Sequence, residues 1–120
     1  MSDVFIKSGE QPRYFAFSGV NSTTVVAASS PIYKESPYGT FQAIVTGTGT
    51  VSATVAIQVS NEAATFNGDK SNWITLGTIS LSGTTTSTDG FTTTAPWRYV
   101  RANVTAVAGT GATVETIMGV

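Results

Sequence analysis

The groups with which proteins ordinarily do chemistry are few in this chain and far apart. It has no histidine and no cysteine, so the commonest general base, the thiolate nucleophile and the usual transition-metal ligands are missing. The seven carboxylates, Asp3, Glu10, Glu35, Glu62, Asp69, Asp89 and Glu115, are scattered, and nearly all fall in predicted loops. A paired-carboxylate glycosidase would need two of them to converge in space, and no spacing points to such a pair. Asn61, Glu62, Asn67 and Asp69 offer oxygens that calcium accepts, but their spacing matches no dedicated loop and ordinary turn chemistry accounts for them. The two Gly-Thr-Gly runs lack the lysine and the strand-to-helix setting of a phosphate cradle. The expectation is no enzyme: no catalytic, cofactor-binding or metal-binding residues.

Three aromatic residues carry another kind of chemistry. Trp73, Trp97 and Tyr99 present flat faces that can stack on sugar rings while Ser, Thr and Asn bond the hydroxyls, although packing in a core or an interface is the commoner fate of tryptophan. Arg98 and Arg101 fall on opposite faces of their strand and are not expected to form a basic patch. Tyr33 and Lys34, between Pro31 and Pro37, are candidate contact residues on an edge or loop.

Composition narrows the class. At 120 residues the chain is one domain with a core of its own, and only 11% of it is charged, against about 25% in ordinary proteins. Ser and Thr fill 34 positions, so hydroxyls cover most of the surface. Six Lys or Arg balance seven Asp or Glu for a net charge of −1, which gives no electrostatic footprint for nucleic acid or an anionic membrane. No apolar run suits a signal peptide or a membrane span, so the chain is expected to be made as a soluble cytoplasmic product.

The elements that must position these residues are strands. In Val51 to Asn61 the residues Val51, Ala53, Val55, Ile57 and Val59 alternate with Ser52, Thr54, Ala56, Gln58 and Ser60. That is the period of a strand with one buried face, roughly 36 Å long. Phe41 to Thr46 precedes it across Gly47-Thr48-Gly49, and Val104 to Val107 leads through Gly109-Thr110-Gly111 to Ala112–Met118; both read as hairpins with glycine turns. Arg13 to Ser18 and Thr23 to Ala28 suggest a further hairpin. Gly77 suggests a bulge or a close backbone approach. The threonine tracts after Ser82 suit either weak strands or surface cover. In PWRYVRANVT, at 96 to 105, Val100, Ala102 and Val104 are expected to face the core. With no helical periodicity anywhere, the reading is all-β: an antiparallel, jelly-roll-like sandwich of about seven or eight strands over residues 13–120. Residues 1–12 read as an N-terminal arm whose Val4, Phe5 and Ile6 either pack on the domain or dock on a neighbour.

Taken together, IQVSN at 57 to 61, NW at 72 and 73, LGTISLSG at 76 to 83, DGF at 89 to 91, PWRYVRANVT and the closing GTGATVETIMGV resemble small β-sandwich structural proteins of tailed bacteriophages, especially capsid decoration or cement proteins. The resemblance covers about half the chain. It implies a non-enzymatic homo-oligomer, dimer or trimer, on the outer capsid surface of the virion. There it would bind the major capsid protein and clamp adjacent capsomers, with Val4, Phe5, Ile6, Tyr33 and Lys34 as contact residues. Alternatives are a glycan-binding module of a tail fibre or spike, using Trp73, Trp97 and Tyr99, or a tail or neck structural subunit.

Overall fold

The computed structural model describes residues 13–17, 24–34, 36–62 and 72–120. The proposed contacts Val4, Phe5 and Ile6 lie outside them. Six strands occur among the described residues: β1 (Tyr14–Ala16), β2 (Ala27–Ala28), β3 (Ile32–Tyr33), β4 (Tyr38–Ser60), β5 (Ile74–Thr94) and β6 (Tyr99–Gly119). No helix is present among the described residues. β4 lies between β5 and β6 and is antiparallel to both, while β1, β2 and β3 all pair with the outer side of β6.

Strand length and link length together force the architecture. β5 ends beside the start of β4, at the pair Tyr38↔Thr94, and β6 begins beside the end of β4, at Ser60↔Tyr99. If β4 were straight its 23 residues would hold those points roughly 70 Å apart. The connection from Thr94 to Tyr99 reaches at most about 19 Å. The long strands therefore double back, and the link is tied to both ends of β4. Ala95 N–H donates to the Pro37 carbonyl at 2.6 Å, and Arg98 N–H donates to Asn61 Oδ1 at 2.9 Å.

The fold-over makes two layers. The first holds β1, the C-terminal part of β6, the start of β4 and the end of β5. The second holds β2 and β3, the start of β6, the end of β4 and the start of β5. Each layer has four runs, and each long strand passes from one layer to the other, which is jelly-roll connectivity. The expected seven or eight strands correspond to these runs.

The three crossings sit side by side. Gly49 has φ 82°, Gly109 121° and Gly111 66°, and Thr85 in β5 has φ 63°; Thr48 pairs with Thr110, and Thr50 with Thr84. The Gly-Thr-Gly runs are therefore corners inside continuous strands, not the hairpin turns the sequence suggested. Positive φ is needed for either device, and only the pairing partners tell them apart. The expected hairpin of the first two strands is also replaced, because β1 and β2 each pair with β6.

Inward positions keep their parity across the corner. Phe41, Ala43 and Val45 in the first layer, and Val51, Ala53, Val55, Ile57 and Val59 in the second, are all buried. They meet Ile79 and Leu81 of β5 and Val100, Ala102, Val104, Ala112, Val114 and Met118 of β6 in one core. Gly77 shows how closely the layers approach: a Cβ there would lie 2.6 Å from Cζ of Phe91, which belongs to the opposite layer. The close approach expected at Gly77 is thus present, and β4 and β5 also slip register beside it, between Ile57 and Gln58.

Three core and corner positions yield stability predictions. Thr85 is β-branched in a left-handed conformation, so Thr85→Asn should raise stability by about 0.5–1 kcal/mol. Gly109→Ala should lower it, since the new Cβ would meet the Thr50 carbonyl at 2.6 Å. Thermal and denaturant melts of the two variants should move in opposite directions. Thr116 is fully buried opposite Ala43, and its Oγ1 has no hydrogen-bond partner. Thr116→Val, which removes an unsatisfied hydroxyl at nearly constant shape, should therefore be neutral or stabilising by about 1 kcal/mol in the same melts.

Candidate functional site

The end of the sandwich opposite the corner gathers the side chains suited to recognition. β3 brings Tyr33, the link brings Trp97 and Arg98, β6 brings Tyr99 and Arg101, and the residue before β5 is Trp73. Tyr33 and Tyr99 are ladder partners, with ring centroids 5.8 Å apart and planes tilted by 56°. The Arg98 guanidinium lies 5.9 Å from the Tyr99 ring centroid, and that of Arg101 lies 4.5 Å from the Trp73 ring. Arg101 is also fixed by Nε donating to Gln58 Oε1 at 2.8 Å. Burial pushes its pKa below the ordinary arginine value, yet the group stays charged.

Two open clefts meet here. One, about 390 Å³, runs between Tyr33, Ser36, Pro37, Asn61, Pro96, Trp97 and Arg98. Its neighbour, about 460 Å³, shares Asn61 and Trp97 and is bounded by Glu62, Trp73 and Ile74. Arg13 and Lys34 line a further hollow beside Tyr33. The four described cations, Arg13, Lys34, Arg98 and Arg101, therefore all sit at this end. Of the described carboxylates, Glu62 borders this same end, while Asp89 and Glu115 lie on the first layer, beside Ala43 and Ile44.

Lys34 has a different role from the one expected of it. It is only 6% exposed, and its ammonium donates to the Ala95 carbonyl at 2.8 Å and to the Ser36 carbonyl. Its backbone N–H donates to the Arg98 carbonyl at 2.8 Å. The side chain clamps the link to the loop before β4 and is not offered to a partner. Desolvation lowers its pKa from the ordinary lysine value. Tyr33, by contrast, is 56% exposed.

Trp73, Trp97 and Tyr99 do come together at one end. As a sugar-stacking platform, however, the group is compromised, because Arg101 already lies against one ring and Arg98 against another. Strand parity sets the two arginines on opposite faces only if both lie inside the strand. Arg98 lies in a bend before β6 starts, where that parity does not apply, and it folds over Tyr99. The dense run Trp97-Arg98-Tyr99 was the available signal. Of the oxygens considered for calcium, Asn61 Oδ1 is engaged by Arg98 N–H, and Asn67 and Asp69 lie outside the described residues. Among the described residues no group of three or more acidic, His or Cys side chains converges.

Taken as a whole, this is a jelly-roll domain with a cationic, aromatic end, the residue types enriched at the centres of protein interfaces. No protein-family model matches the chain, and no curated protein does. Among solved structures it is similar to the SPBc2 prophage-derived protein YomS, with a TM-score of 0.51 and 17% identity over 98% of this chain and 100% of that one. The likeness is one of fold.

The dual nature of residues 33 and 34 can be checked. Lys34→Met should cost about 1–3 kcal/mol, because it strands the buried Ala95 carbonyl, whereas Tyr33→Ser should leave the melt nearly unchanged. Since folding lowers the Lys34 pKa, the unfolded chain binds more protons between that lowered value and 10.5. The lysine's contribution to stability therefore rises with pH through that window and is lost as pH falls. The difference in stability between wild type and Lys34→Met should widen towards alkaline pH.

Proposed function

We propose that the chain is a structural protein of a tailed-phage virion that decorates the outer surface of the capsid, binding the major capsid protein and clamping adjacent capsomers. The observation that carries this reading is the open end of the sandwich, where exposed Tyr33 and Arg98 and half-buried Trp97 and Tyr99 form a hot-spot composition on an all-β scaffold. The end-to-end fold likeness to a prophage-derived protein and the ordered motifs from Ile57 onward support the phage context. In this reading many copies each bury a small patch, and their contacts sum around the symmetry axes of the shell. A tail or neck subunit would use the same surface at another place in the particle.

The test is co-sedimentation with shells that lack the protein. Wild type should bind saturably, at a stoichiometry set by the lattice. Tyr33→Ala and Arg98→Glu should each weaken binding by about tenfold or more, with unchanged thermal melts. Removal of residues 1–12 should leave a folded domain that no longer co-sediments; retained binding would shift the grip entirely to the open end. Normal decoration by all three variants would defeat the reading. A saturable tryptophan fluorescence change with host polysaccharide, and none with shells, would favour the glycan-binding alternative.

A further inference from the structure

The outer face of the first layer carries an aromatic surface that shares no residue with the two clefts of the open end. Tyr14 pairs with Gly119, and Gly119 pairs with Thr40, so one row of the sheet sets a tyrosine, a bare backbone and a threonine side by side. The tyrosine fills the gap: a Cβ at Gly119 would lie 3.2 Å from Cε1 and 3.3 Å from Cδ1 of Tyr14. Its ring therefore lies across the glycine, and since the residue is 69% exposed the other face of the ring is open to solvent. Tyr38, 64% exposed, borders the same hollow of about 220 Å³. That hollow shares Tyr14, Thr40, Thr92 and Gly119 with a larger one of about 530 Å³, which runs on past Gln42 and Gly90. The floor at Gly90 stays open, because a Cβ there would collide with the Phe41 carbonyl.

The polar groups along this groove offer hydrogen-bond acceptors, their hydrogens being spent on the sheet. Thr40 Oγ1 donates to the Gly119 carbonyl at 3.4 Å, and Thr92 Oγ1 donates to the Gly39 carbonyl at 3.3 Å. Thr88 Oγ1 donates to the Ala43 carbonyl at 3.0 Å, so towards Gln42 it can only accept, and Gln42 Nε2 donates to it at 2.9 Å. Lone pairs of the Thr40 and Thr92 hydroxyls and the Oε1 of Gln42 remain to receive donors. A single charge lines the groove, Asp89, and its Oδ1 already accepts the Gly90 N–H at 2.8 Å.

We infer that this face binds a chain of neutral hexopyranose sugars, their apolar C–H faces stacked on Tyr14 and Tyr38 and their hydroxyls donating to Thr40, Thr92 and Gln42. The pattern of acceptors selects the ligand. A phosphate, sulfate or carboxylate brings acceptors of its own, and they would meet acceptors and Asp89. An ammonium could stack on a tyrosine, but the one carboxylate in reach is already engaged by the Gly90 N–H. An added peptide strand needs main-chain partners at a sheet edge, and here β4 is paired with β5 and β6 on its two sides and β6 with β4 and β1. A neutral sugar supplies both things the groove lacks, a flat apolar face for each ring and hydroxyl donors around its rim. The site is distinct from Trp73, Trp97 and Tyr99, and the inference holds wherever in a particle the protein sits.

The experiment is an NMR titration of the isotope-labelled full chain with three neutral probes, maltohexaose, cellohexaose and chitohexaose, and with tetralysine and decaproline as comparisons. At least one sugar should saturably shift the ring signals of Tyr14 and Tyr38 and the side-chain amide of Gln42, leaving the Trp97 indole unmoved, and neither comparison should do so. Tyr14→Ser should raise the dissociation constant of that sugar by about tenfold or more, whereas Tyr14→Phe, which keeps the ring, should stay within about threefold of wild type. Shifts by none of the sugars, shifts confined to the open end, equal or tighter binding of a comparison at the same residues, or a Tyr14→Ser variant that binds like wild type would each overturn the inference. Where Tyr14→Ser does not fold, Tyr38→Ser and the wild-type shift map decide the matter.

Discussion

The fold depends on one mismatch, between strands too long for a small domain and a link from β5 to β6 too short to span them. The chain resolves it by bending all three long strands at one level, so that both ends of β4 reach the same four-residue link. Corner strain is small beside what the bend permits. A non-glycine residue at positive φ costs on the order of 1–3 kcal/mol, and only Thr85 among the described residues carries that cost. Fully burying one Val, Ile or Phe side chain returns about 1.5–3 kcal/mol, and β4 alone buries Phe41, Val45, Val51, Val55, Ile57 and Val59. Face-to-face packing of the two layers wins by a wide margin. Gly77 and Phe91 show how tightly the layers close, a ring from one layer occupying the space where a Cβ would stand on the other.

The alternation that exposes β4 in the sequence also conceals its path. A hairpin centred on Thr48 would pair Thr46 with Thr50 and bury the same odd-numbered residues as the observed corner does. Local pattern therefore cannot separate the two. What separates them is long-range: Thr46 lies between Thr86 and Thr113, and Thr50 lies opposite Thr84. The all-β class, the inward faces of β4 and β6 and the tight approach at Gly77 were legible because each is a property of one strand's own sequence. Pairing of β1, β2 and β3 along β6 was not, since two- and three-residue strands carry almost no periodicity.

The sequence exposes the aromatics of the open end but not the placement of its cations. Trp73, Trp97 and Tyr99 announce themselves by type. The place of Lys34 depends on the carbonyl of Ala95, 61 residues away, and a lysine between two prolines looks exposed from sequence alone. The arginines illustrate a related limit, because face parity holds only inside a strand and β6 starts one residue after Arg98. The cation–aromatic pairs that result cover Trp73 and Tyr99 and leave Tyr33 and Arg98 as exposed groups of this end.

Closure of the fold and construction of the open end are the same event. The link that satisfies the length constraint supplies Trp97 and Arg98, and Lys34 that anchors it sits next to exposed Tyr33. A loose link would spoil both the melt and the surface, whereas changes confined to Tyr33 or to the Arg98 side chain touch the surface alone.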